Sequence, residues 1–91
     1  MINETEINLY QINIMKHAIG FDRKKVKRSK YVAWRNYFCA GQKDVDYWEA
    51  LVKFGLADKF EKFGNIVYYV TEKGFALLGG LLEIKIVEDK E

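Results

Sequence analysis

Apolar residues recur at intervals of three and four over residues 5–20. Ile7, Tyr10, Ile14, Ala18 and Phe21 form the series, with Met15 beside them, and that spacing predicts a helix. Asn3 with Glu6 makes a capping-box pattern, Thr5 is an alternative N-cap, and Gly20 supplies a stop. Leu9, Ile12 and Ile19 lie on the opposite side. The apolar surface is therefore wider than the ~100° stripe a core requires. It fits a deeply buried helix or one that also meets a second copy of the chain.

Residues 44–54 repeat the helical period with clearer punctuation. Val45, Trp48, Leu51 and Val52 form the apolar stripe, and Tyr47 and Phe54 flank it. Asp46, Glu49, Ala50 and Lys53 form the expected exposed face. Asp44 is the expected N-cap and Gly55 the expected residue past the C-terminus. Residues 56–71 read as a β-hairpin turning at Phe63, Gly64 and Asn65, and IVYYV is the most strand-like run in the chain. Thr71 then caps a last helix over 72–82 carrying Phe75, Leu78 and Leu82, which Gly79 and Gly80 weaken or end. Leu82, Ile84 and Ile86 alternate, predicting a short edge strand. The final EDKE is expected to fray.

Between the first two helices the pattern changes. Residues 22–30, DRKKVKRSK, hold one apolar residue, Val26, and no period, so they read as a loop. Residues 31–38, YVAWRNYF, are mostly β-branched or aromatic and read as a strand or extended segment. Val32, Trp34, Asn36 and Phe38 would face one side, and Tyr31, Ala33, Arg35 and Tyr37 the other.

Charge sharpens this picture. The chain has 91 residues and a formal net charge of +2. Residues 23–35 alone carry seven of the fifteen basic residues and no acid, while the flanks are net acidic. A modest total therefore conceals one concentrated positive segment, a candidate surface for phosphate or for an acidic protein. The length fits a single domain spanning 1–91, with a core small enough that a homodimer would help it. One Cys excludes an intrachain disulfide and suits a reducing cytoplasm. One His and one Cys cannot supply a structural zinc site, and no cofactor motif is present. No apolar run approaches the ~20 residues of a membrane span, and MINETEINLY does not read as a secretory signal.

The stretch from Trp48 to Leu78 resembles the wing half of a winged-helix domain of the MarR type. The matching residues are a helix ending Leu51-Val52-Lys53-Phe54-Gly55-Leu56, a charged hairpin, and Tyr69-Val70-Thr71-Glu72-Lys73-Gly74 opening another helix. The whole chain also resembles small proteins encoded by phages and prophages, through His17–Gly20 and Arg35–Phe38. The resemblance implies an α+β, winged-helix-like fold, about three helices with a small antiparallel sheet and hairpin wing, acting in the cytoplasm of a bacterial host. It departs from a DNA-reading winged helix in two ways. No second helix is expected before Asp44. The exposed face of helix 44–54 is net negative and offers no Arg, Asn or Gln for bidentate base contacts. Major-groove reading by that helix is not expected.

No catalytic residues are expected. His17 and Cys39 have no evident partner, and a buried inert thiol is the reading for Cys39. The leading expectation is a non-catalytic module that binds nucleic acid with little sequence preference. The residues are Arg23, Lys24, Lys25, Lys27, Arg28, Lys30 and Arg35, with Lys59 and Lys62 on the wing. Tyr31, Trp34, Tyr37 and Phe38 could add stacking surfaces or could be core. The alternative is a protein–protein adaptor or an inhibitor of a host protein, docking through Asp44, Asp46 and Glu49. A solvated charged loop with no ligand is the third reading of the segment.

Overall fold

A computed structural model describes residues 7–88. The expected caps at Asn3 and Thr5, and the end of the EDKE tail beyond Glu88, lie outside those residues. Among the described residues there are three α-helices: α1 (Leu9–Ala18), α2 (Gln42–Lys53) and α3 (Glu72–Leu82). Five strands accompany them: β1 (Lys30–Ala33), β2 (Phe38–Cys39), β3 (Ala57–Lys62), β4 (Asn65–Val70) and β5 (Lys85–Glu88). The architecture is α+β and winged-helix-like, with β3–β4 as the wing. Its antiparallel sheet has the order β2-β4-β3, and β1 and β5 pair separately in parallel.

The helix α1 starts later than its apolar period suggests. Asn8 is the N-cap: its side chain accepts from the Gln11 N–H, and Gln11 Oε1 accepts from the Asn8 N–H at 2.9 Å. That reciprocal pair satisfies two donors that the first turn leaves free. The phase also differs from expectation. Tyr10 is partly exposed, while Ile19, assigned to the far side, is fully buried just past the helix end. Ile19 is the C-cap of α1, and Gly20 follows it at φ +64°.

The helix α2 begins two residues before the expected cap. Gly41 is the N-cap, in an extended conformation, and Asp44 lies inside the first turn. Asp44 still suits the positive helix end, but its carboxylate is covered: it accepts the Tyr10 hydroxyl at 2.5 Å. Trp48 and Leu51 are fully buried, as the stripe predicts. Trp48 stacks on Tyr68 of β4 with ring centroids 5.4 Å apart and meets Phe38 of β2 at 5.3 Å. This aromatic stack joins α2 to the sheet. Its indole N–H has no acceptor, so burying the ring there costs part of what the packing contributes.

Gly55, with φ +79°, ends α2 where expected. The wing turn is two residues, Phe63 and Gly64, both at positive φ, and Asn65 already pairs with Lys62. Those dihedrals are the type I′ geometry that matches strand twist. Thr71 caps α3 as predicted: its Oγ1 accepts from the Gly74 N–H at 3.2 Å and donates to the Gly55 carbonyl at 2.7 Å. One hydroxyl thus ties the end of α2 to the start of α3. Gly79 and Gly80 do not end α3, which runs on to Leu82. Glu83 then closes the helix in the left-handed region. The alternating tail does form a strand, β5, pairing Tyr31 with Ile86 and Ala33 with Glu88.

The run 31–38 is not one strand. It divides into β1 and β2 around residues 34–37, so its two halves join different sheets. Asn36 lies in the break. Its amide donates to the Val70 carbonyl and accepts from the Val70 N–H, both at 2.8 Å. The side chain thereby takes the place of a ladder residue beside β4.

Candidate nucleic-acid interface

The basic segment has more local structure than a loop. Residues Arg23–Lys25 form a 3₁₀ turn capped by Asp22, whose side chain accepts from the Lys24 N–H at 3.0 Å. Lys27 and Lys30 then exchange backbone hydrogen bonds of 2.9 and 3.0 Å around Arg28 and Ser29. Both turn residues have positive φ, making a tight reversal built without glycine. Side chains in that region are uncommon.

This folding brings Lys24, Lys25, Lys27 and Lys30 around one shallow depression, with Val32 as its apolar member and no acid in its lining. Parallel pairing sets Lys85 of β5 beside Lys30. That neighbour was not legible in the sequence, because it follows from the register of β1 against β5. Two like charges side by side weaken a sheet, and an anion between them reverses the sign. Arg23 lies 5.7 Å from the Phe21 ring and Lys16 lies 5.7 Å from it as well.

Arg35 is placed differently from the lysines. It donates Nη2–H to the His17 carbonyl at 2.7 Å, a cation at the negative end of α1. It also sits 4.9 Å from the Trp34 ring and 5.9 Å from the Tyr37 ring. Trp34 donates Nε1–H to the Gly20 carbonyl at 3.0 Å, and the Tyr31 hydroxyl donates to the same oxygen at 2.5 Å. The Tyr37 N–H reaches the Ala18 carbonyl at 3.1 Å. The segment 31–37 therefore acts as a long-range cap on the C-terminus of α1. Of the expected stacking aromatics, Trp34 and Tyr37 are more than half exposed. Tyr31 and Phe38 pack inward, with burial pushing the Tyr31 hydroxyl above its usual pKa.

The wing cations are not part of this surface. Lys59 and Lys62 lie on β3, an edge of the other sheet. Lys59 pairs with Glu49 at 2.7 Å, the one ion pair found among the described residues. The Glu49 oxygen that Lys59 holds also accepts the Tyr68 hydroxyl at 2.6 Å. Lys59 and then Tyr68 hold the Glu49 carboxyl below the usual range. Burial first, and Glu49 second, push Tyr68 up to about 12. Of the acidic trio Asp44, Asp46 and Glu49, Asp46 is exposed without such a bond, Asp44 is covered and Glu49 is engaged. Cys39, expected to be buried, is exposed. On the edge strand β2, Phe38 pairs with Tyr68 and turns to the core, so Cys39 must turn outward. Among the described residues no cluster of three His, Cys, Asp or Glu could hold a metal.

No protein-family model, curated protein or solved structure matches this chain.

Proposed function

We propose that this protein is a non-catalytic module that binds nucleic acid with little sequence preference through its basic segment. The observation that supports this reading is the four-lysine depression with no acid in its lining, on a chain whose remainder is net acidic. Point charges on flexible stems suit phosphate oxygens and carry no base information. The helix in the recognition position supports the same reading by default. No α-helix lies between α1 and α2 to build a helix-turn-helix, and Asp46 stands on the face that would approach a groove. A phage or prophage source, and action in the cytoplasm of a bacterial host, rest on the sequence resemblance. Among the described residues no helix is long and apolar enough to cross a membrane.

The test is Lys24, Lys25, Lys27 and Arg28 changed together to Gln. Affinity for duplex and single strands of any sequence should fall together. Unchanged affinity in the quadruple variant would move the site elsewhere, first to the wing.

A second reading, docking on a host protein, is favoured by one observation. Phe60, Phe63 and Ile66 of the wing are exposed, Phe63 almost completely at 91%. Large apolar groups at a hairpin tip serve as anchors when a partner pocket receives them. A pull-down from nuclease-treated bacterial lysate, lost on Phe63→Ser, would support it.

A further inference from the structure

Resting on the nucleic-acid reading, we infer that Trp34, Arg35 and Tyr37 form a stacking platform for unpaired bases, so that the preferred ligand is single-stranded nucleic acid. Three observations carry the inference. The first is exposure: Trp34 is 56% and Tyr37 54% accessible. These are large aromatic surfaces open to solvent within a chain that buries its other Trp completely.

The second observation is rigidity. Each residue of the segment has its own anchor. The Trp34, Arg35 and Asn36 side chains are bonded to Gly20, His17 and Val70, and Tyr37 is held through its backbone N–H to Ala18. A side chain at Gly20 would collide with the indole, with a Cβ only 2.6 Å from Trp34 Nε1. Glycine is required there both for its φ and for this close approach. An aromatic surface held in advance loses little freedom when a base stacks on it.

The third observation is charge. Trp34 and Arg35 share a depression with Lys16, Lys25 and one acid, Asp22, whose side chain accepts from the Lys24 N–H, so the cations there outnumber the acid. Lys25 also lines the four-lysine depression, so one lysine belongs to both surfaces. The carbonyls at the end of α1, which would repel an anion, are occupied by Arg35, Trp34, Tyr31 and the Tyr37 N–H. A strand whose phosphates follow the lysines can thus set its bases on the platform. In a duplex those base faces are already stacked on one another and cannot reach it. Aromatic platforms joined to basic grooves are how sequence-tolerant single-strand binding works. DNA and RNA share this chemistry.

The test uses intrinsic fluorescence, since Trp48 is fully buried and Trp34 is the exposed reporter. The full chain is titrated with oligothymidylate, oligouridylate and a DNA duplex of equal length at one low salt concentration. Single strands should quench Trp34. Read by the anisotropy of labelled oligonucleotides, since the variant lacks the Trp34 reporter, Trp34→Ala should weaken single-strand binding by about 5- to 150-fold, the range that loss of one stacked base implies. Duplex affinity should remain unchanged, and Trp34→Phe should recover most of the loss. An unaltered near-ultraviolet signal from Trp48 shows that each variant is folded. Equal binding of duplex and single strand, with no effect of Trp34→Ala, overturns the platform and leaves the lysine surface standing. Absence of binding to any of the three overturns both.

Discussion

Tyr68 shows how one residue couples the core to a surface ion pair. Its ring is buried against Trp48, and its hydroxyl reaches Glu49, which Lys59 also holds. The folded state keeps the Tyr68 proton up to about 12, while an unfolded chain releases it near ~10. Stability is therefore fully present below ~10 and declines as pH rises towards about 12. Denaturant unfolding across the alkaline range should show that decline, and Tyr68→Phe should flatten it without abolishing it. Tyr10 and Tyr31 are shifted in the same direction, Tyr10 chiefly by its bond to Asp44. An equally steep decline in the Phe variant would remove Tyr68 as a source. Little at this scale could be read in advance. That Trp48 and Leu51 are core followed from spacing, because a helix repeats at a fixed angle. The Tyr10–Asp44 and Asn36–Val70 bonds each join residues 34 positions apart, and no local pattern announces such a pair. Asn8 is local chemistry of the same kind as that spacing, since Asn8-x-x-Gln11 fits a capping pattern, but the expected caps were Asn3 with Glu6 or Thr5.

At the scale of the element, the adjacent glycines of α3 make opposite predictions. A Cβ at Gly79 would stand 2.5 Å from the Ile84 carbonyl oxygen, while one at Gly80 would meet nothing within 4 Å. Gly79→Ala should destabilise by ~1–3 kcal/mol through overpacking where α3 crosses the chain entering β5. Gly80→Ala should stabilise by ~0.4–1 kcal/mol, because alanine loses less backbone freedom in a helix. Thermal unfolding of the two variants decides it, and a shared sign would contradict the packing described. In the sequence the pair is one helix-weakening signal, because what separates the two is which face meets β5. The hairpin and the Thr71 cap were legible for the opposite reason: turn and cap chemistry is local. The run 31–38 reads as a strand or extended segment because its composition is mostly strand-like, and composition does not mark where it divides. At the division Asn36 makes its tertiary bond to β4.

For the whole molecule, the decisive feature is that positive charge is gathered on one surface, with the exposed aromatics of residues 34–37 beside it. Four lysines of the segment are gathered by the 3₁₀ turn and the Lys27–Lys30 reversal, with Lys85 brought alongside by β5. The wing cations lie on the other sheet, one already paired with Glu49. The positive segment was legible as a count of residues, but not its shape or the loss of Arg35 to the end of α1. In the proposed function, phosphate contacts by this lysine surface drive binding. The most direct measurement is the dependence of the binding constant on salt. With about four lysines on phosphates, log K should fall against log salt with a slope of about −2.8 to −3.6. The same slope should appear for unrelated sequences of one strand type. A slope near zero, or no binding even at ~50 mM salt, would contradict the claim and leave the exposed wing as the surface to pursue.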